Sequence, residues 1–259
     1  MPDDSLPRKT VRLMQFIAAQ ADGVGLSEIA RRTGIPKATC YRILKVLVEE
    51  RWLVLQPDTR RYRVSLGLAT VLGDSLNRGS YSSVRAILEE LSAEAQETAG
   101  VDTLRPPVIK VLAQVAGPQL IGQAQRPVPR DQSPFTTASG KAALSCLTTD
   151  EVYAQFESAY RAEQGERSIP FEMFVDSLAA IRERGYATAI DELETGAAAV
   201  SSACRTPNGT IYAVWLGGPS FRFTRDRIVE FGAMTMRAID AVQRSLQAGG
   251  LITAAEPAS

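Results

Sequence analysis

The sequence predicts an α+β protein of two domains. Its 259 residues suffice for two ordinary domains, and 45% hydrophobic with 22% charged residues is normal for a globular chain. Segments with helical and with strand-like periodicity alternate along the chain, and Asn208-Gly209 is a strong signal for a β-hairpin turn. Helices interspersed with strands and a hairpin predict a largely antiparallel sheet in the second domain.

Residues 26–50 predict two short helices joined by a tight turn. Gly34 lies where the first helix ends, and Pro36 lies where the second begins. In the second helix, apolar residues recur at the spacing of one buried face, and basic, aromatic and small residues share the other face. The buried set is Cys40, Ile43, Leu44 and Leu47; the exposed set is Lys37, Ala38, Tyr41, Arg42 and Lys45. The pattern fits either ordinary amphipathic helices with a solvated charged face or a helix-turn-helix that enters the DNA major groove.

The next segment favours DNA binding. Residues 52–55 and 62–64 alternate like strands around a turn at 57–61, which predicts a hairpin with Arg60 and Arg61 at its tip. Helix, turn, helix and basic hairpin make a winged helix-turn-helix. Residues 1–78 carry 13 basic and 8 acidic side chains, a net charge of +5, whereas the remainder carries 16 basic and 21 acidic, a net charge of −5. This asymmetry supports a phosphate-binding N-terminal domain.

The predicted DNA contacts fall into two classes. Ala38, Tyr41 and Arg42 are expected to face base edges in the major groove. Phosphates are expected to be held by Ser27, Arg31, Lys37, Thr39, Arg60 and Arg61. Ser27 is also the expected N-cap of a helix over 28–32, which follows a first helix over 9–20 with Val11, Met14 and Ile17 buried.

Residues 66–76 predict a short helix that connects the two domains. The second domain then begins with a helix over 81–98, closed by Gly100, and continues with mixed elements. A capping box from Thr148 to Glu151 starts a helix to about Tyr160, and Gly185 stops another. Further helices are expected at 140–147, 170–184 and 225–247, and strands at 108–112, 120–122, 186–190, 197–203 and 210–216.

Composition excludes several classes of function. The chain has no histidine, which excludes a Ser-His-Asp triad, a Cys-His pair and the usual catalytic zinc sites. The widely spaced Cys40, Cys146 and Cys204 suggest neither a disulfide framework nor a metal site. No segment resembles a signal peptide or a membrane span, so we expect a cytoplasmic protein. Carboxylate or lysine chemistry remains possible, but without histidine or a nucleophile–base pair we expect no enzyme activity, and we expect no cofactor or metal.

Three motifs in the second domain allow more than one interpretation. Ser139-Gly140-Lys141 suggests a phosphate-binding loop, but that motif needs glycine where Phe135 stands and Ser or Thr where Ala142 stands. The segment therefore predicts a helix start that is capped or binds an anion. The carboxylates at 191–194 are either an acid–base pair or a solvated loop, and Trp215 belongs either to the core or to a pocket wall.

The order and spacing of these segments resemble the IclR family of bacterial transcriptional regulators over residues 9–247. The segments that carry the resemblance are LSEIARRTGIPKATCYRILKVL, YRVSLGLATVLG, SGKAAL, RERGYA, DELETG, GGP and DRIVEFGAMTMRAIDAV. The resemblance implies a winged helix-turn-helix domain at 8–65, a linker helix at 66–79 and a GAF-like effector-binding domain at 80–249. It also implies homodimers or dimers of dimers, palindromic operators, and a small-molecule effector, frequently an organic or aromatic acid.

The resemblance further implies an effector pocket on one face of the sheet. Its positions fall here on Ala138, Ser139, Gly140, Asp191, Ala197, Ala199, Trp215 and Gly217. Family pockets for small polar acids offer hydroxyl groups on the last strand, where this chain has Trp215 and Gly217, so we expect a larger or more apolar effector. The function predicted is a ligand-responsive regulator, repressor or activator, that binds double-stranded DNA. The alternatives are an enzyme with an accessory winged helix and a protein-interaction module in place of the sensor.

Overall fold

The computed structural model describes residues 5–20, 22–65, 68, 80–122, 126–163 and 169–248. The chain divides into two compact units between residues 78 and 79. The predicted linker helix at 66–79 lies outside the described residues apart from Leu68, and so does residue 249.

The N-terminal unit is a helix-turn-helix with a three-stranded wing. Its elements are α1 (Leu6–Ala18), β1 (Val24–Gly25), α2 (Leu26–Thr33), α3 (Lys37–Glu49), β2 (Leu53–Leu55) and β3 (Arg61–Val64). The strands pair antiparallel in the order β1-β3-β2. Gly34 ends α2 in the left-handed conformation (φ 68°), as the sequence predicts.

The buried face of α3 was also predicted correctly. Cys40, Ile43, Leu44 and Leu47 are buried in one cluster with residues of α1, α2 and the wing. The predicted boundaries and buried residues of the two preceding helices need correction. Helix α1 begins at Leu6 and buries Leu13 and Ile17, whereas Met14 is half-buried and Val11 is exposed. Ser27 lies inside α2, and Gly25 is the N-cap residue.

The C-terminal unit is a six-stranded antiparallel sheet with helices on both faces. Its strands are β4 (Thr98–Arg105), β5 (Val108–Val115), β6 (Arg130–Gln132), β7 (Ala187–Ile190), β8 (Ala197–Arg205) and β9 (Ile211–Pro219). Their order across the sheet is β6-β5-β4-β9-β8-β7. The helices are α4 (Ser80–Ala95), α5 (Ala138–Ser145), α6 (Thr149–Glu163), α7 (Phe171–Arg184) and α8 (Arg225–Ala248), with a 3₁₀ turn at Ser220–Arg222. The antiparallel sheet agrees with the prediction.

Each face of this sheet has its own hydrophobic core. On one face, α4 and α8 pack against β4, β8 and β9, with Leu88, Val200 and Phe231 buried between them. On the other face, α5, α6 and α7 form a cluster rich in aromatic residues, in which Phe135 contacts Phe156, Tyr160 and Phe174 edge-to-face. On this face, α5 packs mainly against β8 and β9.

Several local signals were correct in this unit. The backbone N–H of Thr148 donates to Glu151 (2.8 Å) and that of Glu151 donates to Thr148 Oγ1 (3.2 Å), so the capping box forms. Gly185 ends α7 with φ 83°, and the Asn208-Gly209 turn joins β8 to β9 with Gly209 at φ 81°.

Other elements were predicted wrongly. Helix α4 ends at Ala95, not at 98, because Gln96 adopts a left-handed conformation (φ 59°), and Gly100 lies inside the unpredicted strand β4. Residues 120–122 form no strand, and Leu120 is fully exposed. The short strand β6 was not predicted.

Candidate functional sites

The exposed face of α3 carries the predicted base-reading residues. Ala38, Tyr41 and Arg42 are exposed, with 54% of the large Tyr41 side chain accessible. Pro36 is the N-cap residue of α3, so these residues fall in its first two turns. An exposed N-terminal half, held by a buried opposite face, is the arrangement with which a recognition helix contacts base edges.

A groove in the N-terminal unit brings together residues of three elements. It lies between the start of α2, helix α3 and the wing, and has a volume of about 510 Å³. Five predicted DNA contacts line it: Ser27, Lys37, Tyr41, Arg60 and Arg61. Arg60 adopts a left-handed conformation (φ 54°) at the hairpin turn, where Gln56 and Arg61 pair through their backbones. The wall of the groove therefore contains three basic side chains and the rings of two tyrosines, Tyr41 and Tyr62.

The four other predicted DNA contacts lie outside this groove. Arg31 is exposed near the end of α2, Ala38 and Arg42 are exposed on α3, and Thr39 is half-buried. The predicted set thus divides into residues that surround the groove and residues that lie beside it on exposed helix surface.

The C-terminal unit contains a small cavity on the sheet face that α5 covers, and we name it the inner cavity. Its volume is about 50 Å³, and the start of α5 meets strands β7, β8 and β9 around it. It is lined by Gln132, Thr136, Thr137, Ala138, Ser139, Ala189, Leu193, Ala197, Ala198, Ala199, Trp215 and Gly218. Five residues from the predicted pocket are in this wall: Ala138, Ser139, Ala197, Ala199 and Trp215.

Three predicted pocket residues lie elsewhere. Gly140 is buried in α5 against Pro134, with which any Cβ at this position would collide. Gly217 pairs with Ala199, which lines the cavity in its place, and Gly218 is the glycine of β9 that reaches the wall. Asp191 lines a separate cavity of about 400 Å³ beside α6 and α7.

The loop at 191–194 is exposed, as expected for a solvated loop, but it is tied to the helix start. Asp191 (φ 57°) accepts a hydrogen bond from the backbone N–H of Gly196 at 2.6 Å. The Lys141 ammonium donates to both carboxylate oxygens of Glu192, at 2.7 and 2.6 Å. Burial lowers the pKa of Lys141, and the negative charge of Glu192 opposes this effect. The carboxylates of Asp191 and Glu192 thus have structural partners.

Trp215 is both a core residue and a wall of the inner cavity. It pairs with Gly100 of β4 on one side and Ser201 of β8 on the other. Its ring covers Gly100, where a Cβ would collide with the indole. The indole Nε1 donates a 2.7 Å hydrogen bond to Oδ1 of Asp102. A glycine in β4 is therefore what permits the indole to lie against the sheet.

Asp102 is a site residue that the sequence-based prediction missed. It is completely buried, and desolvation raises the pKa of its carboxyl to about 6 from 3.8. The nearby Ser139 hydroxyl, the Trp215 indole and the charge of Arg130 act in the opposite direction and limit the shift. The sequence-based prediction missed it because Asp102 lies in β4, a strand that was not predicted.

A larger groove adjoins the inner cavity, and we name it the outer groove. It has a volume of about 300 Å³ and shares Gln132, Leu193, Ala197 and Gly218 with the inner cavity. Its remaining wall is formed by Ile121, Gly122, Arg126, Arg130, Glu194, Thr195, Gly196 and Pro219. Two arginines and one glutamate thus give the outer groove more positive than negative side chains.

Within the part of the chain that the structure describes, no cluster of three or more His, Cys, Asp or Glu side chains could hold a metal ion. No helix in that part is long and apolar enough to cross a membrane.

Comparison with known proteins agrees with this division of the chain. Residues 7–57 match the IclR helix-turn-helix domain, and residues 79–244 match the family described as bacterial transcriptional regulator IclR C-terminal. The acetate operon repressor of Salmonella typhimurium is 26% identical over 238 residues, which cover 90% of this chain and 86% of the relative.

Solved structures share the fold. The IclR transcriptional regulator from Alicyclobacillus acidocaldarius superposes with a TM-score of 0.75 at 20% identity, covering 92% of this chain and 97% of that one. An IclR homolog from Microbacterium hydrocarbonoxydans, complexed with 4-hydroxybenzoate, gives a TM-score of 0.69 at 17% identity over 94% of this chain and all of that one. With both domain models matched in order, this chain belongs to the IclR family of DNA-binding bacterial transcriptional regulators.

Proposed function

We propose that this regulator binds a palindromic operator as a homodimer or dimer of dimers and that a small-molecule effector controls its affinity. One observation carries the effector part of the proposal: five residues that the family resemblance assigns to an effector pocket line one cavity. A regulator with a preformed cavity in a separate unit can respond to a ligand if that ligand binds the DNA-competent and DNA-incompetent states unequally.

For DNA, the proposal divides the contacts by chemistry. The arginines of the wing and Lys37 surround a groove at the start of α3, so we assign them to phosphate oxygens. The exposed Arg42 side chain is assigned to a base edge, because a guanidinium can donate two hydrogen bonds to guanine O6 and N7. Phosphate contacts supply affinity that declines with salt, and base contacts supply sequence preference.

For the effector, we propose a partly apolar or aromatic organic acid. Alanines and the Trp215 ring supply an apolar wall, and Arg126 and Arg130 supply positive charge in the outer groove. The inner cavity of about 50 Å³ is smaller than a typical ligand pocket of roughly 300–1,000 Å³. The effector therefore extends from the inner cavity into the outer groove. The 4-hydroxybenzoate complex of the Microbacterium homolog is one example of such a ligand in the same fold.

A thermal-shift screen with organic and aromatic acids tests this proposal. A ligand at about 100 times its Kd adds roughly 2.7 kcal/mol to the free energy of unfolding. For a protein of this size, that raises Tm by about 5–11 °C. The wild type is compared with the Trp215→Ala variant and with Trp52→Ala, which serves as control because Trp52 lies in the N-terminal unit. Stabilisation should be lost in Trp215→Ala and kept in Trp52→Ala; equal stabilisation of both variants would contradict the pocket assignment.

The same screen separates the proposal from its alternatives. An enzyme would convert the bound acid, so product analysis by chromatography after prolonged incubation distinguishes a sensor from a catalyst. The absence of histidine from the sequence already removes the commonest general base. A protein-interaction module would show no ligand-dependent change in Tm with any acid.

A further inference from the structure

One loop of the C-terminal unit borders three of the spaces described above. Residues 191–196 connect β7 to β8. Leu193 lines both the inner cavity and the outer groove, whereas Asp191 and Glu192 line the separate cavity beside α6 and α7. The effector proposed above extends from the inner cavity into the outer groove, so it passes Leu193. The position of this loop therefore affects how the effector is held.

Hydrogen bonds of the backbone fix the two ends of this loop but not its middle. At one end, the N–H of Asp191 donates to the carbonyl oxygen of Ala197 (2.9 Å). At the other end, the N–H of Ser220 donates to the carbonyl oxygen of Gly196 (2.8 Å). Between them, the Leu193 side chain is 50% exposed and belongs to no hydrophobic cluster of the described residues. The middle of the loop therefore depends on a contact from another element.

One ion pair supplies that contact. The Lys141 ammonium donates to both carboxylate oxygens of Glu192, 51 residues further along the chain. Among the described residues, no other side-chain hydrogen bond or ion pair joins the loop to another element. The Lys141 side chain is only 12% exposed. An ion pair that is shielded from water is screened less by salt than one on the surface, so it can hold the loop at physiological ionic strength.

The helix that carries Lys141 also forms part of the cavity wall. Helix α5 begins at Ala138, and both Ala138 and Ser139 line the inner cavity. The start of this helix is capped by Thr137, whose hydroxyl oxygen accepts a hydrogen bond from the backbone N–H of Gly140 (3.2 Å). The ion pair therefore joins the loop to a fixed part of the wall.

We propose that Lys141 is a positioning residue of the effector site: through Glu192 it holds the loop so that Leu193 stays against the bound effector. The inference rests on the proposed function of the inner cavity and outer groove. Lys141 itself lines neither of these spaces, so it acts on the effector only through the loop. Loss of the ion pair releases Leu193 and shortens the residence time of the effector, because changes within one binding site alter mostly the dissociation rate.

The test measures the dissociation rate of an acid from the full chain. The probe is whichever of benzoate, 4-hydroxybenzoate and phenylacetate raises Tm most in the thermal-shift screen. Stopped-flow tryptophan fluorescence gives the dissociation rate for the wild type, Lys141→Met, Glu192→Gln and the double variant. Each single change should raise this rate about fivefold or more. The double variant should show no further increase, because both changes remove the same ion pair.

The matched control is Lys110→Met. Lys110 forms an ion pair of 2.7 Å with Asp131, and neither residue lines the inner cavity, the outer groove or the cavity beside α6 and α7. The dissociation rate of this variant should equal that of the wild type. In the ligand-free proteins, the hydrogen-bonded amides of Gly196 and Ala197 should exchange with solvent faster in Lys141→Met than in Lys110→Met.

Each outcome separates the positioning role from the proposed function. If an acid binds and leaves Lys141→Met at the wild-type rate, the inference is wrong and the proposed function stands; a lower Tm of the ligand-free variant would then show that the ion pair only stabilises the fold. Additive effects of the two single changes would also overturn the inference, since each residue would act without the other. If no acid binds the wild type, the proposed function fails, and this inference fails with it.

Discussion

At the scale of single residues, Arg42 and Arg60 are both exposed arginines of the N-terminal unit, but Arg42 lies on α3 and Arg60 lies in the turn before β3. We predict that Arg42→Ala relaxes the preference for one operator base, because a bidentate contact to guanine is worth about 1–3 kcal/mol of discrimination. Arg60→Ala should weaken binding to all sequences about equally and reduce the salt dependence. Binding of each variant to a randomised DNA library, at two salt concentrations, measures both effects. A wild-type sequence profile in Arg42→Ala would contradict the assignment.

The buried carboxyl of Asp102 makes stability depend on pH. Its folded pKa of about 6 lies above the ordinary value of 3.8, so the folded state favours the protonated form. The resulting stabilisation is complete below pH 3.8 and is lost as pH rises through about 6. Relative to Asp102→Asn, the wild type should therefore lose up to about 3 kcal/mol of unfolding free energy between pH 4 and pH 7.

Urea unfolding of both proteins at pH 4, 5, 6 and 7 measures this difference, and other carboxylates cancel because the two proteins share them. The Trp52→Ala variant, which keeps every carboxylate, serves as control, and its difference from the wild type should be the same at every pH. A constant difference between wild type and Asp102→Asn across this range would mean that the carboxyl does not titrate there.

At the scale of secondary-structure elements, strand β4 positions the ring that forms the cavity wall. Gly100 lies under the Trp215 indole, and a methyl group there would collide with the ring. We predict that Gly100→Ala displaces the indole, breaks its hydrogen bond to Asp102 and weakens effector binding at least tenfold. Gly25→Ala is a suitable control, because its Cβ meets open space in the N-terminal unit. Tryptophan fluorescence and ligand calorimetry follow the two effects; unchanged ligand affinity in Gly100→Ala would argue against a fixed wall.

A comparison of the predicted with the observed helices and strands shows which parts of the fold the sequence could predict. Amphipathic helices such as α3 and α8, and turns defined by Gly34, Gly185 and Asn208-Gly209, carry strong local signals and were identified. Strand β4 was missed because seven of its eight residues, 98–104, are buried, which removes the alternation by which a strand is recognised. Its first residues continue the apolar spacing of α4, and the boundary depends on the conformation of Gln96.

Contacts between residues of different strands at the proposed effector site were also hard to predict from the sequence. Family resemblance led to Ala138, Ser139 and Trp215, which meet in the inner cavity. It did not reveal Asp102 or Arg130, because their relation depends on the register of three strands, β4, β5 and β6, of which β4 and β6 were not predicted. Register is determined by pairing of the whole sheet, so neither residue type nor local spacing predicts that these two side chains share a face.

At the scale of the whole molecule, we propose that effector binding in the C-terminal unit and DNA binding in the N-terminal unit are coupled. Linkage requires the coupling to be reciprocal: if the effector changes DNA affinity by some factor, DNA changes effector affinity by the same factor. Couplings of about 1–3 kcal/mol, or roughly fivefold to 150-fold, are typical of allosteric proteins. Both affinities must therefore be measured on the full chain, since neither unit alone can report the coupling.

The most direct test is a titration of the full chain on an operator selected from a random DNA pool, with and without a saturating acid identified by thermal shift. Fluorescence anisotropy at fixed salt gives both Kd values. The Trp215→Ala variant, which is expected not to bind the effector, serves as the control. The proposed function predicts at least a fivefold change in DNA affinity for the wild type and none for Trp215→Ala. Equal DNA affinity with and without the bound acid in the wild type would contradict the claim that this regulator responds to its ligand.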